Sequence, residues 1–221
     1  LQFNESIDTK LKYYYEIDRR NDDIDVIMKQ LKYLTDKIDI ISSLNIRYCL
    51  ADGTLLGVYR DNRLIPHDTD IDVSVVHPVD AHKIEKALIK NGFILGRKVE
   101  VYGKVQQLSF YTENEELFDV MFYTIIGSGA YCFCEKDYFF RHEAIHYKTF
   151  LPFNLDGYTF YIPYNSDKWL EHVYGTNWKT PKSSKPKDWR EGGIEYMAAE
   201  PFDGDFKKLL LNINKRENVN S

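Results

Sequence analysis

Ile65-Pro-His-Asp-Thr-Asp-Ile-Asp-Val73 places three aspartates, Asp68, Asp70 and Asp72, at alternate positions of the chain. It follows Ala51-Asp-Gly-Thr-Leu-Leu-Gly-Val-Tyr-Arg60, in which we predict a glycine turn. From Asp70 onward the acids alternate with β-branched residues, and this period of two predicts a strand. Residues two apart on a strand share a face, so Asp70 and Asp72 are expected to lie side by side while the apolar residues between them enter the core.

Two carboxylates held this close repel each other strongly unless a cation lies between them. The stretch offers hard oxygen ligands without a Cys or His at ligand spacing, which favours Mg²⁺ or Mn²⁺ over zinc. We therefore predict a Mg²⁺ or Mn²⁺ site at Asp70 and Asp72, a pattern typical of phosphoryl chemistry.

Two other interpretations of these aspartates remain. They can form a solvated strand edge without any ligand, since charged residues blunt edge strands. Asp68-Thr-Asp-Ile-Asp72 also has the spacing of the first three ligands of an EF-hand calcium loop. The calcium loop is disfavoured because Val73 and Val79 stand where that loop needs a glycine and a glutamate.

A glycine and a small residue, Gly53-Thr54, ahead of Asp70-Ile-Asp-Val73 resemble the pattern of the nucleotidyltransferase fold. More narrowly, Gly-Thr-Leu-Leu-Gly, then Arg60, then Ile-Pro-x-Asp-x-Asp-Ile-Asp resembles the LicD family of phosphotransferases. That family includes bacterial phosphocholine transferases and is related to fukutin and fukutin-related protein. One departure is His67-Asp-Thr-Asp70, where the family often has Trp-Asp-Asp-Asp, so the roles of His67 and Asp68 transfer least directly.

The resemblance continues downstream. Phe118-Asp-Val-Met-Phe122 is similar to the family's second acidic strand, and Tyr174-Gly-Thr-Asn-Trp178 with Pro181 resembles its closing segment. Four motifs in one order, from about residue 46 to residue 181, are far more specific than any one of them.

The resemblance implies that Asp70, Asp72 and Asp119 are both the catalytic residues and the metal ligands, with Asp119 on a strand next to the other two. Asp119 is an acid inside an apolar run, so its charge needs a partner or a metal. A structural salt bridge to Lys or Arg is the alternative.

Gly53, Thr54, Arg60 and His67 are expected to bind the donor. Gly53 would let the backbone approach a phosphate, and Thr54 would add a hydroxyl donor. The planar guanidinium of Arg60 matches phosphate oxygens, and His67 would contact a ribose or phosphate. The alternatives to donor binding are that Arg60 is exposed to solvent and that His67 lies on the surface or packs against its neighbours.

The charge and composition of the chain indicate which partners and which location in the cell to expect. The chain has 221 residues with a net charge of −5, which argues against nucleic acid as a partner. No apolar run approaches the ~20 residues that span a bilayer, and no signal segment opens the chain. We therefore expect a cytoplasmic protein. Its three cysteines, Cys49, Cys132 and Cys134, are expected to be reduced, with a metal-ligand role for the last two as the alternative.

The sequence predicts an α+β fold with a nucleotidyltransferase-like mixed β-sheet core and flanking helices. We divide it into an N-terminal helical segment at 1–45, a catalytic domain at 46–205 and a disordered polar tail at 206–221, in one compact unit. Helices are predicted from helical apolar spacing at 24–41 and 79–90 and at 166–174, with a further helix proposed at 7–17. Strands are predicted at 46–50, 93–95, 99–102, 106–111, 117–123, 130–134 and 158–162.

By resemblance, the chain is expected to be a metal-dependent phosphotransferase. It would move phosphocholine, phosphoethanolamine or a polyol or sugar phosphate from a CDP-activated donor to a hydroxyl of a cell-surface glycan, such as a bacterial capsule polysaccharide or lipopolysaccharide. A glycolipid acceptor would bring it to the cytoplasmic face of the inner membrane. The alternatives are a nucleotidyltransferase that transfers NMP from an NTP, as in toxin–antitoxin systems, and a catalytically silent glycan-binding module.

Overall fold

The computed structural model describes residues 3–7, 23–66, 68, 70–101, 103–112, 116–133, 138–181 and 199–201. In chain order these residues form β1 (Phe3–Ile7), α1 (Ile24–Ser42), β2 (Tyr48–Leu50), α2 (Asp52–Leu56), a π-helical turn (Gly57–Asp61), β3 (Asp70–Val76), α3 (Ala81–Lys90), β4 (Ile94–Val101), β5 (Lys104–Tyr111), β6 (Leu117–Ile126), β7 (Gly129–Cys132), β8 (Tyr138–Glu143), α4 (Ile145–Lys148), β9 (Phe150–Leu155), β10 (Tyr158–Pro163), α5 (Ser166–Tyr174) and β11 (Ala199–Pro201). The predicted α+β class, with a mixed sheet and flanking helices, is confirmed.

The main sheet is organised around β6. Residues 117–123 of β6 lie parallel to β3, and the other edge of β6 pairs antiparallel with β5. The order continues outward as β5-β4-β1 on one side and β3-β2 on the other. Beyond its pairing with β3, residues 124–126 of β6 pair with β7, which leads to β8 and β11. Strands β9 and β10 form a separate two-stranded sheet.

One face of the main sheet is apolar and closed. Ile71, Val73 and Val75 of β3 are fully buried, as are Phe118, Val120 and Phe122 of β6. Helix α1 buries Leu31, Leu34, Ile38 and Ile41 in the same core, and α3 adds Ile84 and Leu88. The acids of β3 and β6 alternate with these residues and therefore occupy the opposite face.

Both long helices follow from their sequence signals. The Asp23 side chain caps α1 by accepting a hydrogen bond from the backbone N–H of Asp25, and Asp80 caps α3 through the N–H groups of His82 and Lys83. An acceptor at this position satisfies donors that the first helical turn leaves open. The predicted helices at 24–41, 79–90 and 166–174 are confirmed as α1, α3 and α5.

Four aromatic side chains from β6, β8, α4 and α5 pack together in the interior; we call Tyr123, His142, Tyr147 and Trp169 the aromatic–histidine cluster. None is more than 4% exposed. Tyr123 Oη and His142 Nε2 share a hydrogen bond of 3.2 Å, and Trp169 Nε1 donates to Tyr147 Oη at 3.2 Å. The His142 ring stacks on Trp169 with 4.9 Å between ring centroids. The cluster ties the helices after β8 to the main sheet.

Several expectations were wrong in detail. The N-terminal segment at 1–45 is not helical throughout, because Phe3–Ile7 form strand β1 against β4. The predicted glycine turn is a helix, α2, followed by the π-helical turn. The two short strands predicted around residue 97 are one strand, β4, whose bulges interrupt the alternation. Strands β8 and β9 were not predicted, and in β9 the buried and exposed residues do not alternate regularly.

Other expectations lie outside the described residues: residues 8–17 of the helix proposed at 7–17, the tail at 206–221 and the thiol of Cys134. Cys49 and Cys132 form no disulfide, as expected, and both are buried. Within the described ranges, no helix combines the length and the apolar character needed to cross a bilayer.

Candidate metal centre

Parallel pairing of β3 with β6 brings the predicted acids together. In this register Asp72 lies directly beside Asp119, and Asp70 is two residues earlier on the same face of β3. One oxygen from each of the three carboxylates lies within 4.8 Å of the other two. We call Asp70, Asp72 and Asp119 the carboxylate cluster. Only 7% of Asp72 is exposed, and the other two are half-buried.

The cluster is electrostatically unfavourable as an all-anionic group. Burial raises the pKa of the Asp72 carboxyl well above its ordinary value, and the neighbouring Asp70 raises it further. Burial also raises the pKa of Asp119 to about 7, again with Asp70 as the next largest cause. Hydrogen bonding by Ser109 and the charge of Arg97 act in the opposite direction on Asp119. Like charges in a poorly solvated site disfavour ionisation, and a cation among them removes that cost.

The donor set fits a hard divalent cation. All three ligand groups are carboxylates, the class of ligand that Mg²⁺, Mn²⁺ and Ca²⁺ prefer. Asp119 Oδ1 is buried and has no hydrogen-bond partner, whereas buried carboxylate oxygens are normally satisfied. A cation bound by the cluster would satisfy it. The choice of Mg²⁺ or Mn²⁺ remains a prediction.

The backbone of Asp72 is held by the segment before α2. Its N–H donates to Thr54 Oγ1 at 2.9 Å, and its carbonyl accepts from the N–H of Ala51 at 3.1 Å. Thr54 is only 1% exposed. The structure therefore places Thr54 where it positions a member of the carboxylate cluster, while its predicted contact with the donor stays a prediction.

Two further acids surround the cluster, Asp52 and Asp68. Both contribute to the raised pKa of Asp72. A Cβ on Gly53 would overlap the Asp68 carboxylate, so a larger residue here would force that side chain to shift away. Asp52 begins α2 with φ of 44°, a left-handed conformation that costs energy in most residues. The predicted approach of a phosphate to Gly53 stays a prediction.

Arg60 is placed differently from the exposed arginine considered above. Its Nε and Nη2 donate to both oxygens of Asp61, at 2.8 and 2.6 Å, and its Nη1 donates to the Trp178 carbonyl at 3.1 Å. The ring of Tyr59 also contacts that of Trp178, with 6.1 Å between centroids. These contacts form a clamp between the π-helical turn and the closing segment. The predicted phosphate contact of Arg60 remains a prediction, and His67 lies outside the described residues.

Tyr174, in the same closing segment, is half-buried at the edge of the core. Burial raises the pKa of its phenol well above the ordinary value, and Asp52, Asp68, Asp72 and Asp70 raise it further. The clamp therefore brings the end of α5 close to the acids.

Sequence reasoning missed three polar residues on the strands beside Asp119, namely Arg97 of β4 and Gln107 and Ser109 of β5. Cross-strand register runs from Arg97 to Ser109, from Ser109 to Asp119 and from Asp119 to Asp72, so one polar row crosses four strands. The sequence feature that could have revealed Gln107 and Ser109 is Gln107-Leu-Ser109. Its two polar residues are two apart and therefore share one face of the predicted strand at 106–111.

Comparison with known proteins agrees with this geometry. The family model described as "LicD/FKTN/FKRP, nucleotidyltransferase domain" matches residues 45–165, more than half of the chain. The chain belongs to the LicD family. The matched region contains β3 and β6 and thus every member of the carboxylate cluster.

Relatives of this LicD-family chain are longer proteins. Human ribitol-5-phosphate transferase FKTN is 26% identical over 172 residues, which are 73% of this chain and 35% of that protein. An uncharacterized protein of Caenorhabditis elegans is 26% identical over 165 residues, which are 69% of this chain and 43% of that protein. The chain thus spans less than half the length of these relatives. Among solved structures, the lincomycin-bound lincosamide antibiotic adenylyltransferase LnuA is 14% identical, with a TM-score of 0.46 over 76% of this chain and 94% of that one.

Proposed function

We propose that this LicD-family chain is a metal-dependent phosphotransferase that moves a phosphorylated group from a CDP-activated donor to a hydroxyl of a glycan. The observation that carries the proposal is the carboxylate cluster, whose oxygens converge within 4.8 Å across a parallel strand pair. Family membership supports the reaction class. The name of the FKTN relatives supports a polyol phosphate among the groups transferred, beside phosphocholine and phosphoethanolamine.

Asp70, Asp72 and Asp119 would hold the cation, Mg²⁺ or Mn²⁺. Bound there, it would supply positive charge that offsets the charge of the donor diphosphate and of the leaving oxygen. The acceptor hydroxyl oxygen attacks the phosphorus that carries the transferred group. A new O–P bond forms as the bond from that phosphorus to the bridging oxygen breaks, and CMP leaves with the electron pair. Asp119 orients the hydroxyl and receives its proton as a general base.

The proposal includes the partners and location expected from sequence. The donor is a small CDP-linked molecule, the acceptor is a cell-surface glycan, and a glycolipid acceptor places the chain at the cytoplasmic face of a membrane. These elements derive from family resemblance and are open to direct test.

The decisive experiment compares donors. Thermal unfolding with Mg²⁺ plus CDP-choline, CDP-ethanolamine, CDP-glycerol or CDP-ribitol should show a rise in melting temperature for the true donor, because a ligand that binds only the folded state stabilises it by mass action. ATP with Mg²⁺ serves as the parallel arm. A shift with ATP alone, followed by NMP transfer, would support the nucleotidyltransferase alternative instead.

Site variants then test the cluster. Asp70→Ala and Asp72→Ala should each abolish transfer from the donor identified by the screen while the fold persists. Asp36→Asn is the matched control, because Asp36 is an exposed acid on α1 paired with Lys32. Full activity of both cluster variants would refute the proposal.

A further inference from the structure

The two oxygens of Asp119 have different surroundings. Oδ2 accepts a hydrogen bond from Gln107 Nε2 at 3.2 Å, whereas Oδ1 is buried and has no hydrogen-bond partner. Asp119 therefore has one oxygen engaged with the protein and the other left for a ligand. The groups that hold Oδ2 therefore determine the position of Oδ1.

Gln107 reaches Asp119 along a diagonal. The residue directly opposite Gln107 on β6 is Met121, and the residue opposite Asp119 is Ser109. Gln107 is only 6% exposed, and its amide nitrogen also donates to Ser109 Oγ at 3.2 Å. Its side chain thus extends past its direct neighbour to meet the carboxylate.

Arg97 determines which way the Gln107 amide points. Arg97 Nη1 donates to Gln107 Oε1 at 2.8 Å. A guanidinium has donors and no acceptor, so only the amide oxygen can face it. The amide nitrogen must then face Asp119, and the reversed orientation, which would set an oxygen against a carboxylate, is excluded.

We propose that Arg97 and Gln107 form a positioning relay that holds the Asp119 carboxylate with Oδ1 free for a divalent cation. The inference rests on the metal-dependent function proposed above. Partners of this kind orient a ligand without touching the metal, and losing one typically lowers metal affinity about 10- to 100-fold. Gln107 contacts the Asp119 carboxylate directly, beside the hydrogen bond from Ser109, and Arg97 orients Gln107 while its charge also acts on Asp119, so both are positioning residues.

The test uses a matched glutamine on the same strand. Gln106 is 4% exposed and hydrogen-bonded, since its Oε1 accepts from the Phe133 N–H, but it lies on the face of β5 opposite the acids. Gln107→Met and Gln106→Met therefore each remove one buried amide of similar exposure. Mg²⁺ and Mn²⁺ binding is measured by calorimetry without any donor, together with the free energy of unfolding of the metal-free protein.

We expect Gln107→Met to weaken binding of the cation about 10- to 100-fold. Gln106→Met should lower stability while metal affinity stays within about twofold. Arg97→Met should weaken binding, because the Gln107 amide loses the donor that orients it, and Arg97→Lys should restore part of the loss. Unchanged affinity in Gln107→Met, or an equal loss in Gln106→Met, would overturn the relay.

The outcomes separate the relay from the function. If the wild-type chain binds neither cation, the metal-dependent function and the relay both fail. If it binds a cation and Gln107→Met binds equally well, the relay alone fails. If binding weakens as expected but no CDP-linked donor is used, the relay stands and the proposed reaction does not.

Discussion

The carboxylate cluster and the aromatic–histidine cluster are both buried groups of polar side chains, and β6 contributes to each. In the aromatic–histidine cluster, neutral groups hydrogen-bond and stack on one another. In the carboxylate cluster, three acids crowd together, and burial followed by repulsion from Asp70 raises the pKa of Asp72 and of Asp119. The first stabilises the fold, and the second costs stability until a cation binds.

The largest expected effect comes from removing one charge of the carboxylate cluster. Asp72→Asn should weaken Mg²⁺ binding more than about 100-fold, since it removes a direct ligand. The same change should raise the free energy of unfolding of the metal-free protein at pH 8 by about 1–3 kcal/mol, because a buried like charge disappears. Calorimetry and denaturant unfolding measure the two quantities. A variant that is both inactive and destabilised would place this cluster among structural elements.

Trp169→Phe, in the aromatic–histidine cluster, should have effects opposite to those of Asp72→Asn: stability should fall and metal affinity should be retained. It removes the hydrogen bond to Tyr147 and part of a fully buried ring, so the free energy of unfolding should fall by about 1–3 kcal/mol. Metal affinity should stay within about twofold, because the acids are untouched. Denaturant unfolding with and without Mg²⁺ checks both points. A large loss of metal affinity would mean that the two clusters are coupled.

The pH dependence of stability should also have opposite signs at the two clusters. Asp119 has a folded pKa of about 7 against an ordinary 3.8, so the metal-free folded state holds an extra proton between these values. Stability from this residue is complete below about pH 4 and is lost as the pH rises to 7, at up to about 1.4 kcal/mol per pH unit. Burial lowers the pKa of His142 well below 6.5, so its effect is a loss of stability as the pH falls below about 6.5.

Single substitutions separate the pH dependence of stability that comes from Asp119 from the one that comes from His142. In metal-free Asp119→Asn the loss of stability on acidification from pH 6.5 to 4.5 should be steeper than in the wild type, because the opposing slope is gone. In His142→Phe, acidification over the same range should raise stability. Denaturant midpoints at three pH values measure both. Identical profiles in the two variants would contradict the assigned pKa directions.

The smallest expected effect concerns Arg60. If the clamp to Asp61 and Trp178 is its role, Arg60→Lys should lower the free energy of unfolding by about 1 kcal/mol and leave the KM for the donor within about twofold. If Arg60 binds the donor phosphate, as the sequence predicted, KM should rise about tenfold or more with little change in stability. Steady-state kinetics beside unfolding decides between them.

Much of the fold followed from local patterns. Helices α1 and α3 have helical apolar spacing and side-chain N-caps, β3 alternates acids with apolar residues, and the strand at Asp119 is an apolar run; each was predicted correctly. The errors fell where periodicity is short or interrupted, as in α2, the bulged β4 and β9 with its irregular burial pattern. A five-residue helix and a bulge leave too few repeats to recognise.

The sequence by itself identified the family and the three acids that form the carboxylate cluster, because alternation on a strand and ordered motifs are local properties of the chain. Only the tertiary structure decided that Asp72 and Asp119 lie side by side, that Thr54 holds the backbone of Asp72 and that Gln107 holds the carboxylate of Asp119. Those facts depend on the register between strands distant in sequence, which side-chain spacing along one strand does not encode. The same register crowds the acids together and creates the need for a cation.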